Sequence, residues 1–270
     1  MESKFGELSK LHLTAAEKDG KTIIEDVSFT APFKVMRPFY IKKDVMTVML
    51  QVASPGIMAG DRQEIAIHVK QGAQMEFVSQ SYEKVHKMTE GHGERRTILA
   101  VEPDASLYYT PLPMIPFAES DYRSTADVEL ADETSRFVYR EVLTSGRAAY
   151  GEEFRYDRFQ NRVSVYQGGK IVYRDNTLYE PAQMDMRGFG MYEGFTHLGN
   201  LLICNEPKSD NWIRRARECI DGGDRMQGGV TRTAQGHIVV RILGMSGQTL
   251  LDRMDEILAL KDEEIEAADA

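Results

Sequence analysis

A mainly β chain of many short strands, with two helices late in the sequence, is predicted by three observations. Apolar residues recur at every second position through most of the length, turn-forming residues interrupt them at short intervals, and only two segments change to a helical period. In chain order the alternation puts Leu11 and Leu13, then Val48, Leu50 and Val52, then Ile65, Ile67 and Val69 on one face of successive strands. It returns at Met75 and Phe77, Leu99 and Val101, Phe137 and Tyr139, Val163 and Val165, and Ile238, Val240 and Ile242. Asp19-Gly20, Gln71-Gly72, Pro103-Asp104, Asn161 and Gly168-Gly169 supply turn chemistry between the runs.

The two helical segments follow. Asp210–Asp221 sets Trp212, Ile213, Ala216, Cys219 and Ile220 on one face, offers Ser209 or Asp210 as a cap, and stops at Gly222-Gly223. Ser246–Lys261 does the same with Leu250, Leu251, Met254, Ile257 and Leu258. Residues 263–270 read as a frayed acidic tail of small residues. No linker-like stretch or fixed-period repeat divides the chain, so one domain is expected over residues 1–262.

Composition limits the function classes. With 270 residues and 42% hydrophobic content, the chain can fill a sizeable core. No apolar run approaches the roughly 18–20 residues of a membrane span, and Met1-Glu2-Ser3-Lys4 lacks a signal-peptide pattern. Two well-separated cysteines, Cys204 and Cys219, point to a reduced, cytoplasmic protein. A net charge of −9 disfavours nucleic acid and anionic membrane as partners.

The chemistry search is mostly negative. There is no phosphate-binding Gly-x-x-x-x-Gly-Lys-[Ser/Thr] loop, no His-Glu-x-x-His and no Gly-x-Ser-x-Gly. Gly188-Phe189-Gly190 and Gly222-Gly223 neither follow a strand nor open a helix as a dinucleotide loop does. Cys204 with His197 is a conceivable nucleophile pair, but Cys204 lies in the apolar run Leu198–Cys204, where an inert buried thiol is expected. His86 and His92 are close enough in sequence to share a metal but lack a nearby third ligand. The fourteen methionines read as adaptable packing, with Met46, Met49, Met75 and Met254 at core-type positions. No catalytic residue and no tightly bound cofactor are expected, which favours a scaffold or binding module over an enzyme.

The most particular segment is Ser54-Pro55-Gly56-Ile57-Met58-Ala59-Gly60-Asp61-Arg62, between the alternating runs Val45–Val52 and Glu64–Val69. Its length and its Pro and Gly content exclude a plain hairpin; an ordered turn with Asp61 as a backbone acceptor is the simplest reading. After one further strand comes Ser79-Gln80-Ser81-Tyr82-Glu83-Lys84-Val85-His86-Lys87. Together with these stand Thr30–Tyr40, Pro111-Leu112-Pro113-Met114-Ile115-Pro116-Phe117, Tyr139-Arg140-Glu141 running to Ser145-Gly146-Arg147, Tyr173-Arg174-Asp175-Asn176-Thr177 and Gly194-Phe195-Thr196-His197. In combination and in order, from about Lys4 to about Lys261, they resemble the urease accessory protein family UreD, also called UreH.

The resemblance implies a β body that is β-helix-like or built of stacked sheets, with a helix pair appended. It implies a urease maturation chaperone in a hetero-oligomer. Such a chain binds apo-urease, pairs with a UreF-type protein and is linked through it to a UreG-type GTPase, with nickel in transit rather than resident. By the match of motifs, Asp61 is the first candidate for a transient nickel ligand. Ser79, Glu141 and Asp175 are further candidates for lining the path, since Ni²⁺ in transit needs oxygen or nitrogen ligands that hold it loosely. The alternatives are an adaptor that never contacts nickel and an enzyme using Asp61 or Glu141 as general acid or base. A further expectation is that the aromatic-rich strand Phe154–Phe159 leaves apolar surface exposed and makes the isolated chain poorly soluble.

Overall fold

The computed structural model describes residues 7–42 and 44–261. The chain opens with β1 (Leu8–Lys18), β2 (Lys21–Phe29), β3 (Phe33–Val35), β4 (Met46–Val52), β5 (Arg62–Val69) and β6 (Gln74–Ser79). It continues with β7 (Glu83–Val85), β8 (Gly93–Val101), β9 (Ser106–Tyr109), β10 (Met114–Pro116), β11 (Asp121–Leu130) and β12 (Arg136–Thr144). Then come β13 (Arg158–Gln167), β14 (Lys170–Tyr179), β15 (His197–Cys204), α1 (Asp210–Asp221), β16 (Gln227–Arg232), β17 (Ile238–Gly244) and α2 (Gly247–Ala259).

From β4 to β13 the chain changes sheet at almost every step. β5, β8, β11 and β13 lie parallel side by side in one sheet, while β4, β6, β9 and β12 lie parallel in the other. Two stacked sheets are thus wound as one coil, so both architectures that the resemblance implied describe the same object. The Ser54–Arg62 segment is the corner that carries the chain from β4 to β5, and a hairpin there is excluded because the two strands belong to different sheets. Antiparallel pairs finish the edges: β1 with β2 and β13 with β14 on one sheet, and β12–β15–β17–β16 on the other.

The winding explains the period-two pattern. Inward side chains of successive coils fall into register, giving Met46–Met75–Leu107–Phe137 and Ile67–Leu99–Val128–Val165 as continuous apolar ladders. These ladders fill the space between the sheets. Phe77, Tyr109 and Tyr139 stack in one such ladder, with centroids 5.4 and 6.1 Å apart and rings within 7° of parallel. Ile238, Val240 and Ile242 face the other way, onto the helices. There α1 packs on β16, and α2 packs on β15, β12 and β17.

Both helices lie where the sequence places them. Ser209, rather than Asp210, caps α1 by accepting from the Trp212 N–H at 3.0 Å, and the Trp212 indole N–H donates to Leu260 O at 3.1 Å. Ser246 is the cap of α2 and not its first turn. The acidic tail expected over residues 263–270 lies outside the described residues. Two expectations are corrected. Asn161 is not a turn residue but a buried position inside β13. The Phe154–Phe159 segment does not expose its aromatics: Tyr156 and Phe159 are buried with Tyr122, Ile57 and Val85, and Phe154 packs against that cluster. Among the described residues no helix is long and apolar enough to cross a membrane.

Candidate functional site

The apolar ladders fill only part of the inter-sheet space. Along strand after strand the inward position changes from apolar to polar at one level. β6 runs Met75, Phe77, Ser79; β8 runs Val101, Leu99, Thr97, Arg95; β11 runs Leu130, Val128, Ala126, Ser124. β12 runs Phe137, Tyr139, Glu141; β13 runs Val165, Val163, Asn161; β15 runs Cys204, Leu202, Asn200; and β17 contributes Val239 and then Arg241. Because the strands are in register, these polar positions become neighbours. Gln63, Arg95, Ser124 and Asn161 follow one another across one sheet, and Glu141, Asn200 and Arg241 across the other.

Between the two polar tracks lies a row of three cavities with shared walls, and a fourth adjoins it through the Asp175–Arg241 pair. At one end a cavity of about 150 Å³ is bounded by Ser54, Pro55, Gly56, Ser79, Glu83 and Arg95. The next, about 60 Å³, shares Glu83, Arg95 and Tyr109 with it and adds Ser124, Glu141 and Asn161. The row then narrows to about 10 Å³ between Tyr139, Glu141, Asp175 and Asn200, room for one water at most. Beyond Asp175 a wider space of about 330 Å³ is bounded by Arg241, Tyr179, Tyr192, Gly228 and Gly229.

Each charged group in the row is held differently. Arg95 is locked: its guanidinium donates to Gln63 Oε1, with Nε at 3.0 Å, and pairs with Glu83 at 2.5 Å. Burial alone would lower its pKa, but the Glu83 carboxylate more than offsets this and the group titrates higher than an ordinary arginine. Among the described residues Glu141 has no cationic hydrogen-bond partner. Its two oxygens accept from Asn161 Nδ2 at 2.7 Å and Asn200 Nδ2 at 3.4 Å. Burial pushes it up to about 7; the Asp175 charge also raises it, while the two amides and Arg241 pull the other way. Asp175 is paired with Arg241, Nη2 to Oδ2, at 2.6 Å. Burial lifts the phenols of Tyr109, Tyr122 and Tyr139 above their usual range, so they act as neutral hydrogen-bonding groups.

The sequence candidates separate cleanly. Ser79, Glu141 and Asp175 all line the row, and Ser79 Oγ also accepts from the Leu112 N–H at 2.8 Å. Asp61 does not line it. Its Oδ2 accepts from the Met58 N–H at 2.8 Å and closes the turn that ends the Ser54–Arg62 corner. His86 turns to the Pro55 carbonyl at 3.0 Å while His92 sits 3.8 Å from Glu94. Among the described residues no three His, Cys, Asp or Glu side chains gather as a metal cage requires. Cys204 is buried and its thiol is pushed up to about 12 by burial, while His197 stands at the far end of β15 with Thr196 on its Nδ1. The two cannot act as nucleophile and base.

Arg95, Asn161, Asn200 and Arg241 escaped sequence reasoning because no motif carries them. The one signal for Arg95, Asn161 and Asn200 was that each continues an apolar alternation by a polar step; Arg241 lies on the face opposite the Ile238–Val240–Ile242 alternation and left none.

A family model described as "UreD urease accessory protein" matches residues 8–269. A urease accessory protein UreH of Helicobacter pylori (strain G27) is 34% identical over 262 residues, 97% of each chain. A urease accessory protein UreD of Acetivibrio thermocellus is 35% identical over 261 residues, covering 96% of this chain and 98% of its own. One from Flavobacterium johnsoniae is 29% identical over 253 residues, covering 93% and 91%.

Proposed function

Since the chain belongs to the UreD urease accessory protein family, and is therefore an accessory protein and not an enzyme, we propose that it serves urease maturation as a conduit for nickel. In this reading it binds apo-urease, pairs with a UreF-type protein, and through it receives Ni²⁺ from a UreG-type GTPase. The observation that carries the reading is the polar row between the sheets, with Ser79, Glu141 and Asp175 on its walls.

Physics supports that use of the row. A polar seam through a β core is costly unless its groups are paired or wet, so its persistence over successive coils calls for a role beyond packing. Isolated carboxylates and amides are hard oxygen donors that hold a divalent cation without enclosing it. Glu141, which no guanidinium or ammonium neutralises through a hydrogen bond, suits a passing cation better than Glu83, which Arg95 holds. Asp61 has a different part in this reading: its carboxylate braces the corner whose Ser54, Pro55 and Gly56 wall the first cavity.

The test is metal analysis of urease purified from cells carrying the native chain, no chain, Glu141→Gln or Asp61→Asn. Deletion is expected to leave urease abundant but almost free of nickel. Glu141→Gln is expected to assemble with its partners and yet lower occupancy severely at limiting nickel. Asp61→Asn keeps an acceptor for Met58 and is expected to retain most of the loading; a severe loss with intact assembly would instead make Asp61 a transit ligand. Full occupancy with Glu141→Gln would favour the adaptor reading, in which nickel never touches this chain.

A further inference from the structure

The row contains two arginine–carboxylate pairs, and they are built differently. Arg95 has only 10% of its side chain exposed and is fixed by Glu83 and Gln63 together. Arg241 has 54% of its side chain exposed, holds the single carboxylate of Asp175, and is otherwise supported by Tyr173. It sits at the border between the narrowest cavity, which Asp175 lines, and the wide one, which Arg241 itself lines. Next to Arg241 in the sheet register is Gly229, where even an added Cβ would meet nothing within 4 Å. The guanidinium therefore has empty space to swing into and one carboxylate to leave, whereas Arg95 is held by Glu83 and Gln63 together.

The groups around Asp175 suit a cation. Glu141, Asp175 and Asn200 bound the same narrow space, and the buried Asn200 Oδ1 has no hydrogen-bond partner among the described residues. An amide carbonyl left unpartnered between two carboxylates is an acceptor lacking a hydrogen-bond donor or a cation. A divalent cation entering there would meet Glu141 first and then compete directly with the guanidinium for Asp175.

We propose that Arg241 is an internal counter-ion that gates the row: a divalent cation occupies the Glu141–Asn200–Asp175 station only by displacing the guanidinium from Asp175 into the space beside Gly229. This rests on the row being the nickel path, and adds to it the identity of the barrier. The closed state is the Arg241–Asp175 pair; the open state has the cation on Asp175 and the arginine in the wider cavity.

The test is calorimetric titration of Ni²⁺ alone into the full chain, held with its partner where solubility requires it. Arg241→Gln removes the competing charge and is expected to gain a site binding at least about tenfold tighter than the native chain. That gain should vanish in the double variant Arg241→Gln, Asp175→Asn. An Arg241→Gln isotherm equal to the native one, or a gain that survives Asp175→Asn, overturns the gate. Should Arg241→Gln fail to fold by circular dichroism, Arg241→Lys carries the test. Its single ammonium lacks the fork, holds Asp175 less firmly, and should bind Ni²⁺ several-fold tighter than the native chain; unchanged affinity overturns the gate here too. The gate and the path fail separately. Tighter binding in Arg241→Gln with normal urease loading in Glu141→Gln keeps the gate and removes the path, and the opposite pair of results removes the gate and keeps the path.

Discussion

Glu141 shows how one buried carboxyl makes stability depend on pH. Its folded pKa is raised to about 7 from an ordinary 4.5, chiefly by desolvation. Below pH 4.5 both folded and unfolded chains hold the proton, and the group costs nothing. Above it the unfolded chain ionises first, so stability is lost as pH rises until the folded group also ionises near pH 7. The full penalty is about 2 kcal/mol, from roughly 1.4 kcal/mol per pKa unit reduced for water in the cavity. Glu141→Gln removes it, and Asn200 can meet the new NH₂ by turning its free Oδ1 toward it. The expected outcome is a variant whose stability relative to the native chain improves by about that amount between pH 5 and pH 8, read by denaturant melts at both values. A pH-independent difference would mean that Glu141 is well solvated.

At the scale of elements, the strands were legible in the sequence and the site was legible only in part. Alternation located core positions on eight strands, β1, β4, β5, β6, β8, β12, β13 and β17, because burial on one face of a strand leaves a period of two in the sequence; it missed the central β11. β2, β14 and β16 left no such trace: all three sit at or near sheet edges and carry mostly exposed or half-buried side chains. Asn161 read as a turn because asparagine is common in turns; what overrides that preference is its hydrogen bonding to Glu141 and Ser124 across the row. The corner between β4 and β5 was legible from its glycines, and Gly56 has a demanding place there. Its φ is +149°, and an added Cβ would lie 2.4 Å from the Lys84 carbonyl oxygen and 2.9 Å from the His86 ring. Gly56→Ala is expected to cost about 2–4 kcal/mol, seen as a lowered denaturation midpoint, and to disturb the mouth of the row that Ser54 and Pro55 wall.

For the whole molecule, the fold class followed from pattern, but the pairing of strands did not. Period-two runs are indifferent to which sheet a strand joins, so the alternation between two sheets came only from the family resemblance and from the structure. The same holds for surface. The Phe154–Phe159 aromatics are buried, and the exposed apolar groups are elsewhere: Phe189 is 99% exposed, and Tyr150 and Ile41 are each 77% exposed. Phe189 stands between Gly188 and Gly190, while the neighbouring Arg187 is paired to Glu153, so its loop is anchored beside the one bearing Tyr150. Such groups favour self-association of the chain when it is expressed alone. Phe189→Ser is expected to raise the soluble, monodisperse fraction of the singly expressed chain in size-exclusion chromatography without changing its melting temperature. An unchanged elution profile would assign the self-association to other surface.

A coiled sheet also sets a length scale for anything that moves along it. Adjacent strands lie roughly 4.8 Å apart, and each turn of the coil adds one polar rung, in the order Gln63, Arg95, Ser124, Asn161 on one wall. In the proposed nickel route the oxygen-bearing rungs Ser124 and Asn161 stand one strand spacing apart, whereas Arg95, which offers only N–H donors, separates them from Gln63. In that reading the length of the route is fixed by the number of windings, so gaining or losing a winding would lengthen or shorten it by one strand spacing and leave the chemistry of every other rung unchanged.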